Sequence, residues 1–588
     1  WQNVPPRHRS VRAAFASSWQ QLSEVERVAF ANLSIFSGGF TQKAAQEITA
    51  ATPETLQSLT IKSFLHYHPE NGRYDIHQLL CQFGAEHLAQ EPEQLTAVGD
   101  KHSRFMLHFM INANLVRDDK PDTQLWPKLR QEMKNIRSAW DWAIEREQFS
   151  LLNDCRPHLA RYYNLRGPYA EAYLVFSQSI ENLRAWLNAP HPEPLAGQQL
   201  LGNLLIEWTR FLKEKGLFEQ ITAVAQEIIA LGQQCRSLSM QVSGYFYWGQ
   251  ALTNLRKFDT AQSKLQQGLT LANQANVPFP QAQILRQLGV LAYYGRDYDQ
   301  AKTYYERALS LFRKLGNGRE EAGVLNNLAL VAYVHHDYKT AITIFQQAAQ
   351  LYRQLGDYWG EGLALINMGN TCQQYGDYAG SRQFYEQSLP FKRRVGNRHG
   401  EGIAYVSLGL SCHRLGDYQA SLRYNQQALE IAAELDDMDV RAFALTFMGH
   451  TLLTTDKLAT AQEAYAEAYQ IRLTRNQPQL AMEPLAGLAE TLFLTGDLVQ
   501  AMKWVELLYT SLSERGIAGT EEPYRLYHIC FKILAANQDS RAALILEKAY
   551  ADLIQCAREI PEPTIRHTFL ENIAAHQAII SAHKEMKF

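Results

Sequence analysis

The sequence predicts an all-α chain: a right-handed superhelical solenoid of helical hairpins, preceded by a small N-terminal domain with one β-hairpin. Three observations predict it. Small residues, turns and aromatic residues recur at a fixed period of 40 residues through most of the chain. The recurring turns carry the residues that stop one helix and start the next. Residues 8–90 fall outside this register and hold an Asn-Gly turn between two short β-type runs.

The repeat comes first because it fixes the architecture. Small residues stand at Gly249, Gly289, Ala329, Gly369, Gly409, Gly449 and Ala489. Twelve residues later come Ala261, Ala301, Ala341, Ser381, Ser421, Ala461 and Ala501, and seven further on Gly268, Ala308, Ala348, Ser388, Ala428 and Ala468. Two helices that cross closely need small side chains at the crossing, and Tyr305, Phe345, Tyr385 and Tyr465 supply bulk beside it. In Gly376-Asp377-Tyr378 and Gly416-Asp417-Tyr418 the glycine suits the left-handed helix end and the aspartate the next N-cap. Leu315-Gly316, Leu355-Gly356 and Val395-Gly396 end second helices in the same way. Seven clear units span about 240–519, with a degenerate unit before them and another in 520–559, where Arg541 replaces the small residue. Worn terminal repeats suit end faces that meet water. The spacing resembles the tetratricopeptide repeat, and the Gly360-Glu361-Gly362 and Gly400-Glu401-Gly402 links resemble its long-repeat form in the bacterial regulator MalT and in animal spindle-orientation adaptors.

The N-terminal stretch reads as helices over about 10–21 and 24–35, a turn at Ser37-Gly38-Gly39-Phe40, and two short helices started by Thr41 and by Thr52 or Pro53. Segments Phe64 to Tyr67 and Arg73 to Ile76 form the hairpin, with no strand expected outside 60–77, and a helix begins at His77. This order describes a winged helix. The domains are therefore 1–92 winged helix, 93–199 helical linker with degenerate repeats, 200–559 solenoid and 560–588 a C-terminal capping helix.

Arg9-Ser10-Val11-Arg12, Ser18-Trp19 to Leu22-Ser23, Leu33 to Phe40 and Arg73 to Leu80 resemble the winged helix that follows the NB-ARC ATPase in bacterial STAND regulators of the AfsR type. Glu132 to Trp140 resembles the helical segment those proteins place before their repeats. The resemblance implies the ligand-sensing, autoinhibitory half of a signalling NTPase, with ADP or ATP held by a missing upstream domain. The chain opens on Trp1 rather than Met, so residues upstream are expected. Ile76-His77-Gln78 aligns with the family's Met-His-Asp motif, which implies that His77 senses the β-phosphate of ADP in the neighbouring domain; Gln78 departs from the family aspartate. A plain scaffold, or the regulatory part of an AfsR-like transcription regulator, are the alternatives.

Composition and motifs narrow the function further. A net charge of -3 gives no global drive toward nucleic acid or anionic membranes. The seven cysteines contain no Cys-x-x-Cys pair, so packed, reduced thiols in a cytoplasmic protein are expected. No Gly-Lys dipeptide occurs, hence no P-loop, and no hydrolase or metal motif is present; catalytic residues, metal and cofactor are expected to be absent from this chain. His66 and His68 flank Tyr67 without a third ligand. The helix after Thr41 offers one Lys against one Glu, poor chemistry for reading DNA, and Arg7, Arg9 and Arg12 are expected to face the ATPase domain.

The expected ligand is a protein or peptide in the concave groove lined by the first helices. Their inner positions hold Arg286, Tyr293 and Tyr294; Asn326, Asn327 and Tyr333; Asn367, Asn370, Gln373 and Gln374; and His413 and Arg414. Amides pair with a peptide backbone through donor and acceptor, and tyrosine adds contact area at low entropic cost. The competing reading is that the amides satisfy one another between repeats.

Overall fold

The computed structural model describes residues 15–113, 115, 125–166, 169–190, 194–394, 396–516 and 520–586. The described chain is overwhelmingly helical and divides into two compact units, residues 1–287 and 288–588.

The first unit opens with helix α1 at 15–20 and α2 (Glu24–Leu33). Ser23 and Glu26 close a capping box on α2. Strand β1 (Phe40–Thr41), α3 (Gln42–Thr49), α4 (Pro53–Ile61), β2 (His66–His68), β3 (Arg73–Asp75) and α5 (Gln78–Leu88) follow. Thr41 and Thr52 cap α3 and α4 through their hydroxyls, as their positions predict. The expectation of a lone hairpin is corrected: β1 pairs antiparallel with β3, giving a three-stranded sheet in the order β1-β3-β2. The added strand is two residues long, too short to carry any alternation. Residues 1–14, with Arg7, Arg9 and Arg12, lie outside the described residues.

Helices α6 (Pro92–Asn112), α7 (Leu125–Glu145), α8 (Phe149–Arg166) and α9 (Tyr169–Leu187) lead into the repeats. Here three of the stretches that carry the N-terminal resemblance, Leu33 to Phe40, Arg73 to Leu80 and Glu132 to Trp140, hold one another. Glu132 and Asn135 of α7 reach the Ser37-Gly38-Gly39 turn and the base of β3: Arg73 pairs with Glu132 and also donates to the Gly39 carbonyl. Asn135 donates to the same carbonyl at 3.1 Å and accepts from the Gly38 amide at 3.2 Å. Ser37 donates to Ser138 at 2.8 Å. A side chain at Gly39 would start 3.1 Å from the Tyr74 carbonyl, a tight contact that glycine avoids where the turn comes close to β3. Hairpins α10–α11 (Pro194–Glu214, Phe218–Gln234) and α12–α13 (Leu238–Asn254, Phe258–Ala275) complete this unit, which ends inside α14 (Pro278–Tyr294).

The second unit continues with α15 (Tyr298–Lys314), then α16–α17 (Gly318–Val334, Tyr338–Leu355), α18–α19 (Tyr358–Gln374, Tyr378–Arg394) and α20–α21 (Arg398–Arg414, Tyr418–Leu435). After these come α22–α23 (Met438–Thr454, Leu458–Thr474), α24–α25 (Pro478–Leu494, Leu498–Arg515) and α26–α27 (Pro523–Ala536, Arg541–Glu559). The expected single C-terminal helix is two, α28 (Pro563–Glu571) and α29 (Ala574–Met586), separated by Asn572 and Ile573. The 40-residue register is therefore a helical repeat. Gly376 and Gly416 take positive φ at the hairpin turns, and where glycine is missing His336 takes the same conformation. Asp297, Asp337, Asp417 and Asp497 accept backbone N–H donors at the following N-termini.

Packing explains the small residues. A Cβ on Gly289 or Gly369 would lie 2.5 Å from the ring of Tyr305 or Tyr385 of the paired helix. Tyr465 is enclosed on two sides, since a Cβ on Gly449 would sit 2.6 Å from its ring and one on Gly487 2.5 Å. At Gly409 the facing side chain is Asn425, fully buried, where Gly289, Gly369 and Gly449 face a tyrosine ring and Gly249 faces Leu265.

Candidate functional site

Within the second unit the first helices lie side by side, α16 on α18, then α20 on α22, α24 and α26 in turn. Their inner faces carry most of the expected groove residues. One pair of amides meets across neighbouring repeats, and others accept from tyrosine hydroxyls. Asn326 is buried rather than exposed and accepts from Asn367 at 3.0 Å; Tyr333 donates to Gln374 at 3.4 Å; the hydroxyl of Tyr385 donates to Asn370 at 2.7 Å, with Gln373 at 3.4 Å. Asn327 is half-buried and Asn370 exposed. Tyr293 is half-buried against Tyr298, and Tyr294 is exposed. Arg286, half-buried on α14, belongs to the first unit.

His413 and Arg414 stand where the polar chemistry is densest. Arg414 Nη2 pairs with Glu522. His413 Nδ1 lies 3.2 Å from the Thr451 hydroxyl, and its ring centroid is 6.1 Å from that of His450. His450 is buried; its Nδ1 sits 2.7 Å from the Tyr465 hydroxyl, while Nε2 faces Glu483 at 3.4 Å and Glu522 at 3.8 Å without a hydrogen bond. Arg525 spans Glu483 and Glu490, at 2.8 Å each.

Burial sets the protonation states here. It pushes His413 down to about 2, helped by the charges of Arg414, His450 and Arg525, and holds His450 far below its ordinary value. Burial raises the Glu483 carboxyl, although Arg525 and Arg414 pull it back. Both histidines are therefore neutral at pH 7. One ligand atom each from His450, Glu483 and Glu522 lie within 4.8 Å of one another, a convergence the sequence reading missed because the three come from separate repeats. Arg525 and Arg414 already neutralise the two carboxylates, leaving little net charge to hold a cation.

Glu522 comes from the segment before α26. Successive first helices start at Met438 and Pro478, and the register would start the next one at 518; α26 instead begins at Pro523. The last residues of this long connection, Thr520, Glu521 and Glu522, lie against the groove wall. Thr520 and Glu521 border Phe443, Phe447 and Arg472, and Glu521 and Glu522 share a cavity with Gln373, Gln374 and Arg414. Glu521 keeps its surface open to groove water, yet burial raises its carboxyl, with Glu483 raising it further against Arg472.

The C-terminal helices cover the groove further along. Beyond packing α29 on α26 and α27, they reach the earlier turns. His336 Nε2 lies 3.5 Å from Glu559, Lys339 Nζ pairs with Glu562 at 2.9 Å, and Asn572 donates to the Gly376 carbonyl at 3.4 Å. Tyr338, Cys372 and Tyr375 belong to one hydrophobic core with Tyr524, Phe569 and Ile579. Cys372 and Cys412 are buried, which pushes their thiols up to about 12 and about 11, so they are packing residues.

In the first unit, His77 is the N-cap of α5; its Nδ1 accepts from the Leu79 amide at 3.3 Å and the residue is exposed. His66 and His68 stack edge to face on β2, and His68 contacts Glu70 at 3.2 Å. No described helix is long and apolar enough to cross a membrane.

Tetratricopeptide repeat profiles match residues 282–315, 320–394 and 400–474. No curated protein sequence matches the chain. Among solved structures it is similar to a signal transduction ATPase with numerous domains (STAND) from Pyrococcus horikoshii that has a tetratricopeptide repeat sensor, at 16% identity and a TM-score of 0.57. That alignment covers 78% of this chain and 65% of the archaeal protein, so the chain spans less than two thirds of its relative. Weaker likenesses include aspartyl phosphate phosphatase F from Bacillus subtilis, with 11% identity, 64% and 93% coverage and a TM-score of 0.43. A Rap protein complexed with competence and sporulation factor gives 15%, 65% and 98%, and 0.39.

Proposed function

We infer that this chain is the ligand-sensing and autoinhibitory half of a STAND-type signalling NTPase. The solenoid binds a protein or peptide through its concave face, and the winged helix couples that event to an upstream NB-ARC-type nucleotide-binding domain. The chain itself is not an enzyme, works in the cytoplasm, and binds neither membrane nor nucleic acid directly. The observation that carries the sensing role is the inner face of α16 to α24. It gathers tyrosines, amides and buried charges around a groove that the protein's own C-terminal segment touches at Gln373, Gln374 and Arg414. A surface needed only for solubility would carry exposed Lys and Glu instead.

His77 supports the coupling role. It is exposed at the start of α5, open to a domain packed on that face. In the full-length protein, His77→Ala is expected to weaken ADP at least tenfold, because a charge-assisted contact to phosphate is lost, and to favour the active state. Residues 1–588 alone are expected to bind ADP negligibly. Calorimetric titration of ADP checks both, and tight binding to residues 1–588 alone overturns the assignment.

A further inference from the structure

We propose that the groove is a receptor site for an acidic peptide segment, and that Thr520-Glu521-Glu522 is its built-in competitor. The proposal rests on the sensing role above and names the ligand class and the means by which the site is kept closed.

Three features of the second unit carry it. First, among the described residues from α16 onward, the register of the first helices holds until it breaks where the acidic pair enters the groove. The short links before α16, α18, α20, α22 and α24 give way to the long connection from Arg515 to Pro523. The described backbone of 520–522 lies between two lined cavities that share Glu521. Second, the partner of Glu522 is committed to little else. Arg525 keeps Glu483 and Glu490, and Arg472 keeps Asp439, but the ion pair of Arg414 is with Glu522. Removing Glu522 would leave the buried Arg414 guanidinium without its ion-pair partner, with only the charge of Glu483, already paired to Arg525, acting on it, which is costly unless another carboxylate takes its place. Third, the surroundings already present unmatched polar atoms: Arg414 Nε and His450 Nε2 are buried without hydrogen-bond partners. His450 is about 98% buried, and its free nitrogen points at Glu483 and Glu522.

The site is therefore shaped for a carboxylate and now holds one from its own chain. Phe443, Phe447, Tyr378 and Leu410 flank it with apolar area, and Gln373 and Gln374 offer donors and acceptors for a backbone. That combination fits a peptide carrying adjacent acidic residues. An external peptide must outcompete a segment tethered at an effective concentration of roughly millimolar, so the resting site answers only to a ligand with additional contacts.

The probe is a fluorescein-labelled peptide copying residues 516–527, read by anisotropy against residues 1–588. The Glu521→Gln/Glu522→Gln chain is expected to bind it at least tenfold more tightly than the parent. A peptide with both glutamates replaced by glutamine is expected to bind that chain at least tenfold more weakly. Adding Arg414→Gln is expected to abolish binding, and Arg414→Lys to restore part of it. Equal binding to parent and double variant, or equal binding of the acidic and glutamine peptides, overturns the proposal. Circular dichroism establishes that each variant is folded. Should the double variant unfold, hydrogen exchange of 516–522 in the parent decides: faster exchange at saturating peptide supports displacement, and unchanged exchange overturns it. If acidic peptides fail but groove substitutions still abolish capture of a cellular partner, the sensing role stands and the ligand class is wrong.

Discussion

The Arg73 clasp of the first unit and the Arg414 pair of the second are both arginine–glutamate contacts at the edge of a core, but they do opposite work. Arg73 and Glu132 are joined by Gly39, Asn135 and Ser138 into a network in which every named group has a partner. Arg414 and Glu522 sit among orphaned atoms of Arg414, His450, Glu483 and Glu522 itself. A closed polar network fixes one arrangement, whereas an unclosed one leaves room for a different partner. The difference separates a structural joint from a binding site more sharply than burial does, because both pairs are buried to a similar degree.

Substitution at the clasp is expected to give the largest effect. Glu132→Ala strands Arg73 in a buried site and is expected to cost about 3–5 kcal/mol, seen as an early transition in urea unfolding of the full chain. A loss below about 1 kcal/mol would show that the clasp is no more rigid than the groove.

Acid is expected to act next, on the groove and also on His102 of the first unit, which burial pushes down to about 4. His413, His450 and His576 have folded values pushed below the ordinary one near 6.5, His576 to about 4 by burial. The unfolded chain takes up those protons first, so the stabilisation is complete above pH 6.5 and is lost as pH falls. Between pH 6.5 and 5.5 each histidine contributes about 1 kcal/mol of that loss. Glu483 and Glu521 have raised values and work in the opposite sense, so the readout is the slope difference between the parent and His413→Gln. An unchanged slope would remove His413 from the account.

The smallest effect on stability is expected for Asn327→Ala/Asn370→Ala. Asn370 accepts from the buried Tyr385 hydroxyl, which keeps Gln373 in reach, so the pair of changes is expected to cost only about 1 kcal/mol while abolishing ligand response. A normal response in this variant would confine the functional groove to the Arg414 end.

The repeat was legible because its causes are local. A glycine facing a tyrosine ring and an aspartate capping a helix each leave a mark at fixed spacing, as do Gly369 with Tyr385 and Asp417 with Ala420. His77 at a helix start and the caps at Thr41 and Thr52 were readable for the same reason. The expected groove residues do lie on the first helices of their hairpins, but their partners were not foreseen. Whether Asn326 meets Asn367 or a ligand depends on how neighbouring repeats lean, and no single-repeat pattern encodes that. The C-terminal segment was read as a cap because its contacts with Lys339 and Gly376 join residues roughly 200 apart in sequence. Gly516, Gly519 and Pro523 did mark a long connection and a late helix start, and this was the available signal for the acidic insertion.

The enclosure of Tyr465 has a consequence for how this sequence is able to change. Gly449 precedes the ring in the chain and Gly487 follows it in the next repeat, so two codons far apart are answerable to one side chain. Alanine at either position would press its Cβ against the same ring, so a smaller side chain at 465 is expected to relieve both positions at once. Substitutions at the three sites are therefore expected to be non-additive, which ties one repeat to the next.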